Sequence, residues 1–276
     1  MGWLPESLER SPFHRYVNRM CLVSAVVGLV PLWRRLEGRS FGGIREFFPR
    51  LNWRDYGRGW LLGFLSLAVL ALAVVAAGGR GIQGAVETSR LLSHFWNAGI
   101  AALVVGFLEE VLFRGVLFFG LQRQYSFATA AGLSSAIYAL VHFFRRPTPP
   151  PAVEWWTGFQ TLASMAQGFF DLGTFLPAFP NLFLAGVILA MMFRVTGTLW
   201  FSAGLHGGWI FWLKTYGHLT VPTVIGRDWL YGTNRLIDGW LGTALLCGVG
   251  VFCWRRWGQN SSLFPGSQSR ISSGNS

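Results

Sequence analysis

Apolar residues run along this chain in blocks long enough to cross a lipid bilayer, and polar residues are confined to the gaps between them. Crossing a hydrocarbon core takes about 20 helical residues. The pattern predicts such helices at 17–33, 59–78, 98–121, 126–144, 180–195, 198–213 and 236–254. The fifth and sixth are short, with only Val195 to Thr198 around Gly197 between them. They predict a tight helical hairpin that locally thins the membrane. The first run follows Arg10, Arg15 and Arg19 as a signal peptide would. It has no small-residue cleavage site and ends at Pro31, Arg34 and Arg35, so a retained span is expected.

Between 147 and 179 the pattern changes. Pro147, Pro149, Pro150 and Pro151 stop the preceding helix, because proline lacks the N–H that a helix interior uses. Trp155, Phe159, Leu162, Ala166 and Phe169 then recur at helical spacing, which predicts an amphipathic interfacial helix or a re-entrant segment. An eighth full span is the alternative there. The expected fold class is therefore all-α: a polytopic membrane bundle of seven to eight spans.

Composition agrees. The chain has 276 residues, of which 52% are hydrophobic and only 13% charged, against about 25% in an average soluble domain. The net charge of +11 invites a nucleic-acid partner, yet all but one of the 23 basic residues are arginines scattered singly or in pairs between apolar runs. That distribution suits anchoring at anionic headgroups, and no nucleic acid is expected as a partner. Seven arginines in loop 34–58 favour a cytoplasmic side for it. Cys21, Cys247 and Cys253 all lie inside apolar runs and imply no disulfide framework. No internal repeat supports an inverted-repeat transporter.

Three ionisable side chains interrupt the third run: Glu109, Glu110 and Arg114. A charge at the centre of a span costs about 2.5–3.5 kcal/mol on insertion scales, so partners, a wet cavity or a function must accompany it. Glu110 and Arg114 are four apart and can pair along one helix face. Glu109 points about 100° away from Glu110 and has Phe113 as its own i+4 neighbour, which leaves it without a lateral partner. Two histidines also lie in apolar runs, His142 near the end of the fourth and His206 in the middle of the sixth. Gly204 and Gly208 let another helix approach closely, which is expected to bring the His206 imidazole against it. His14, His94 and His218 fall in loops or interfacial stretches and receive no role. One carboxylate and two imidazoles from separate helices form a general-base constellation: the acid takes a proton from water, and histidine orients it or stabilises an oxyanion. The same groups are compatible with a zinc ion, although the H-E-x-x-H pattern is absent and no cofactor is required by the sequence. A proton-coupled transporter would use the same groups as a relay.

At these residues the chain resembles the CAAX-prenyl-protease and bacteriocin-processing family (CPBP, also called Abi) of intramembrane proteases. The family's E-E-x-x-x-R motif is matched by Glu109, Glu110 and Arg114. Its F-x-x-x-H motif is matched by Tyr138 and His142, with Tyr replacing Phe. Its H-x-x-x-N motif is matched by His206, with Ile210 in place of Asn. The resemblance covers about residues 98–213. It implies a helical membrane fold in which Glu109 activates water with help from His142, Glu110 and Arg114 shape the site, and His206 faces the oxyanion. It also implies a membrane protein or peptide as substrate and a multi-pass location in the cell membrane. The family has been described both as metalloproteases and as a glutamate-dependent class, and the second fits a sequence with no metal signature of its own. Ile210 removes one oxyanion donor, for which the Trp209 indole N–H or a backbone amide is the expected substitute. It also leaves open a non-catalytic immunity or scaffold role. The resulting organisation is a two-span N-terminal region with its arginine-rich loop at 1–97, a catalytic core at 98–213, a loop and last span at 214–257, and a disordered tail at 258–276.

Overall fold

The computed structural model describes residue 28 and residues 52–84, 87–145, 154–223 and 227–258. The run at 17–33, most of the arginine-rich loop, the proline cluster and the tail after Gly258 lie outside the described residues.

The first helix, α1, spans Trp53–Ala76 and starts at a reciprocal cap. The Asn52 side chain accepts from the Asp55 amide at 3.2 Å and donates to the Asp55 carboxylate at 2.7 Å. After a three-residue strand, β1 (Arg80–Ile82), comes α2 (Thr88–Glu110), which continues directly into a π-helical stretch, Val111–Phe118, and a last turn, α3 (Phe119–Gln122). Then follow α4 (Phe127–Val141), a ten-residue α5 (Thr157–Ala166), α6 (Leu172–Thr196) and α7 (Leu199–Leu219). Strand β2 (Thr220–Pro222) pairs antiparallel with β1, and α8 (Asp228–Tyr231) and α9 (Trp240–Trp257) complete the order. The fold is all-α apart from that small ribbon. Helices α1 and α6 are long and apolar enough to cross a membrane.

One expectation changes. The 180–213 hairpin turns at Gly197, which takes the left-handed conformation that caps a helix (φ 68°), but its arms are not short. Helix α6 has 25 residues and α7 has 21, so no membrane thinning is needed to house them. Pro177 and Pro180 hid this, because both lie inside α6 where a sequence reading stops the helix. Membrane helices tolerate proline when neighbouring groups satisfy the freed carbonyls. The segment after the prolines is helical as the pattern predicts, α5 with one turn of 3-10 helix at Gln167–Phe170, too short for an eighth span, and Trp155 and Phe159 are exposed.

Helix α7 is the hub, packed mainly on α1 and α2. Its glycines explain how closely. A Cβ at Gly204 would lie 2.1 Å from the Tyr56 carbonyl oxygen, and one at Gly208 2.5 Å from that of Trp60. In return, a Cβ on Gly63 would lie 2.2 Å from the Leu205 carbonyl oxygen. The two backbones touch, as small residues at i and i+4 permit. On the other flank Gly106 of α2 meets Gly207, with its Cβ position 3.1 Å from the Gly207 nitrogen. These contacts set the height of α2 against α7, and Glu110 follows one turn after Gly106. Gly204→Val meets backbone and no yielding side chain, so we expect a loss of about 3 kcal/mol, at the upper end of overpacking costs. Gly132→Ala, whose Cβ meets nothing within 4 Å, leaves the unfolding temperature in detergent unchanged or slightly raised.

Candidate functional site

The close approach of α7 to α1 does not carry His206 toward α1, as the glycine pattern suggested. Residue 206 lies two positions from each glycine, about 200° around the helix, so its imidazole faces away from α1. It points to α2 and α4.

There the buried groups assemble. Glu110, with no exposure of its side chain, pairs with Arg114 at 2.7 Å. Arg114 also donates to the Gly186 carbonyl of α6 at 3.0 Å and lies 5.0 Å above the Tyr138 ring. The pair predicted along one helix face is present, and a third helix closes it. No feature of the residue pattern signals the π-helical stretch that begins directly after Glu110. Such a stretch, with its i→i+5 bonding, often marks a functional site.

Glu109 and Glu110 point apart, and the His206 ring spans the difference. Glu110 Oε1 is 3.0 Å from His206 Nδ1, and Glu109 Oε2 is 3.6 Å from His206 Nε2. His142, which caps the C-terminal end of α4, places its Nε2 3.9 Å from the same Glu109 oxygen. The cluster sits at the C-terminal end of α4, where His142 is. All five residues singled out from the sequence lie together.

Hydrogen-bond partners fix the ring states. His142 Nδ1 lies 2.7 Å from the Tyr138 carbonyl oxygen, which can only accept, so Nδ1 carries the proton and Nε2 is bare in the neutral ring. His206 Nδ1 faces a carboxylate already paired with arginine, and the same logic leaves its Nε2 turned to the cluster. Three acceptors, Glu109 Oε2 and two Nε2 atoms, thus converge, and the buried Glu109 Oε2 has no hydrogen-bond partner in the protein. Tyr138 Oη lies 3.2 Å from His206 Nε2. The sequence did not assign Tyr138 a role of its own. Its only signal was the substitution of Tyr for Phe in the motif.

The cluster opens to a cavity of about 580 Å³ lined by Glu109, His142, Phe113, Leu182, Ile210 and Lys214, among others. Glu109 and His142 retain side-chain exposures of 26% and 32%, whereas His206 keeps 4%. Ile210, one turn after His206, presents an apolar wall where the motif places an amide. Trp209 does not compensate, because its indole N–H donates to Ser66 of α1 at 3.0 Å, on the other side of α7. His94 and His218 stack on each other, centroids 3.6 Å apart, near one end of α7 and outside this cluster.

The profile of the type II CAAX prenyl endopeptidase Rce1-like family matches residues 91–212. This segment belongs to the CAAX-protease family. No curated protein and no solved structure matches the chain. The CAAX-protease segment takes in α2, the π-helical stretch, α4, α6 and most of α7, and so every residue of the cluster. The family match and the two long apolar helices together indicate an integral membrane protein whose described residues are mainly helical. Among the described residues no group of three or more His, Cys, Asp or Glu side chains is placed to hold a metal ion.

Proposed function

We propose that this chain is a multi-pass intramembrane endopeptidase that hydrolyses a peptide bond of a membrane-bound protein or peptide, with Glu109 as general base. The observation that carries this reading is the convergence of Glu109 Oε2 and the two Nε2 atoms beside a cavity that Glu109 and His142 line. Water, with two O–H donors, complements that arrangement: one proton directed to Glu109, the other to His142 Nε2. Glu109 removes the first proton as the water oxygen attacks the carbonyl carbon. The C=O electrons move onto oxygen, and the resulting oxyanion faces the His206 side chain, whose Nδ1 is held by Glu110. Collapse of the tetrahedral species breaks the C–N bond, and Glu109 returns its proton to the departing amine. The apolar cavity wall, with Phe113, Leu182 and Ile210, suits apolar side chains beside the scissile bond. With the apolar run at 17–33 added, the long helices give a seven-span chain, for which we propose the cell membrane as location.

The test is cleavage of a panel of lipid-anchored and single-span peptides by the purified protein in detergent, with products identified by mass. We expect His142→Ala to lower kcat by about 10²-fold, the lower range for a group handling a proton in the transition state. Prolonged EDTA treatment leaves the wild-type rate unchanged. Loss of activity on chelation, restored by zinc, would contradict the metal-free mechanism.

A further inference from the structure

The buried phenol beside His206 has no part in the water-activation step, yet it occupies a decisive position. Tyr138 is 3% exposed, and its ring is held edge-on by Phe113 (centroids 5.0 Å apart) and faced by the Arg114 guanidinium at 5.0 Å. Its hydroxyl is 3.2 Å from His206 Nε2, while Glu110 holds Nδ1 at 3.0 Å. The imidazole is thus clamped at both nitrogens. On the cavity side, the next residue along that face of α7, Ile210, offers no polar atom.

The two clamps differ in kind. An ionised carboxylate only accepts, so Glu110 always takes the Nδ1 proton. A hydroxyl both donates and accepts. Because Glu110 takes the Nδ1 proton, Nε2 is the acceptor of the neutral ring, and the Tyr138 hydroxyl is the buried donor that fills it. A residue without a hydroxyl at this position would leave that buried nitrogen without its donor and the ring free to turn, at a cost in rate.

We infer that Tyr138 is a positioning residue for this reaction: its hydroxyl holds the His206 ring aligned from the Nε2 side, the task for which position 210 has no polar group. The inference rests on the protease reading above. Tyr138→Phe keeps the ring and its packing and removes only the hydroxyl. It lowers kcat roughly tenfold, the worth of one buried hydrogen bond, at unchanged KM and unchanged thermal stability. Adding Ile210→Asn, which places an amide one helical turn from His206, restores part of the lost rate in the Tyr138→Phe background. Independently of any substrate, nitrogen NMR of the labelled protein shows the His206 Nε2 resonance shifted in Tyr138→Phe relative to wild type. A kcat equal to wild type, or an Nε2 resonance that does not move, overturns the inference. A wild-type protein that cleaves no peptide defeats the protease reading instead, and the nitrogen resonance still decides whether Tyr138 holds the ring.

Discussion

Glu109→Gln reduces peptide-bond cleavage by about 10²–10⁴-fold in kcat, the range for loss of a general base, while the folded yield and unfolding temperature in detergent stay at the wild-type level. Both halves of this result follow from the surroundings of the side chain. The carboxylate oxygen Oε2 makes no hydrogen bond within the protein, so the amide that replaces it breaks none. The side chain is partly exposed to the cavity, and its contacts at 3.6 and 3.9 Å to the two Nε2 atoms lie beyond hydrogen-bond length. What the amide cannot do is take a proton from water. Cleavage rates of purified wild type and variant, with melting curves for both, check the two halves separately. A variant that cleaves as fast as wild type removes Glu109 from the mechanism.

Glu110→Gln behaves in the opposite way, although the two residues are adjacent. Glu110 is completely buried, and its Oε1 accepts from Arg114 at 2.7 Å and faces His206 Nδ1 at 3.0 Å. Removing its charge leaves the guanidinium of Arg114, 2% exposed, without a counter-ion. Breaking one partner of a buried ion pair costs about 3–5 kcal/mol, which is a large share of the stability of an ordinary domain. The variant is therefore expected in low folded yield and with a depressed unfolding temperature. Replacing both partners, Glu110→Gln with Arg114→Met, recovers stability, because the desolvated charge is gone. It does not recover activity, because His206 Nδ1 no longer faces a carboxylate. Thermal unfolding of the single and double variants checks this, and a Glu110→Gln protein as stable as wild type would contradict it.

The contrast between these glutamates was legible in the sequence, and its basis was simple. Glu110 and Arg114 stand four positions apart and no residue of opposite charge stands four from Glu109, so helix periodicity alone divided their surroundings. The membrane class was equally plain from the apolar blocks. Local chain geometry was harder. Periodicity assumes a uniform 3.6-residue turn, so it could not register the π-helical stretch after Glu110 or keep Pro177 and Pro180 inside α6. Long-range partners were hardest. The Gly204 and Gly208 pair announced a close helix neighbour, but sequence spacing could not tell that the neighbour is α1 or that His206 turns the other way. Trp209 was a reasonable oxyanion donor until its N–H was found on Ser66, 143 residues away. Tyr138 was visible as a departure from a motif, and only its hydroxyl's contact across to α7 gives that departure a consequence.

The measurement that bears most directly on the central claim is an experimental structure of Glu109→Gln in a lipid nanodisc with an uncleaved peptide in the cavity. The account predicts the scissile carbonyl carbon facing the side chain at 109, an ordered water in contact with that side chain and with His142 Nε2, and the carbonyl oxygen turned toward His206. A peptide seated away from these three side chains, or a residue 109 packed in lipid with no solvent beside it, would contradict it.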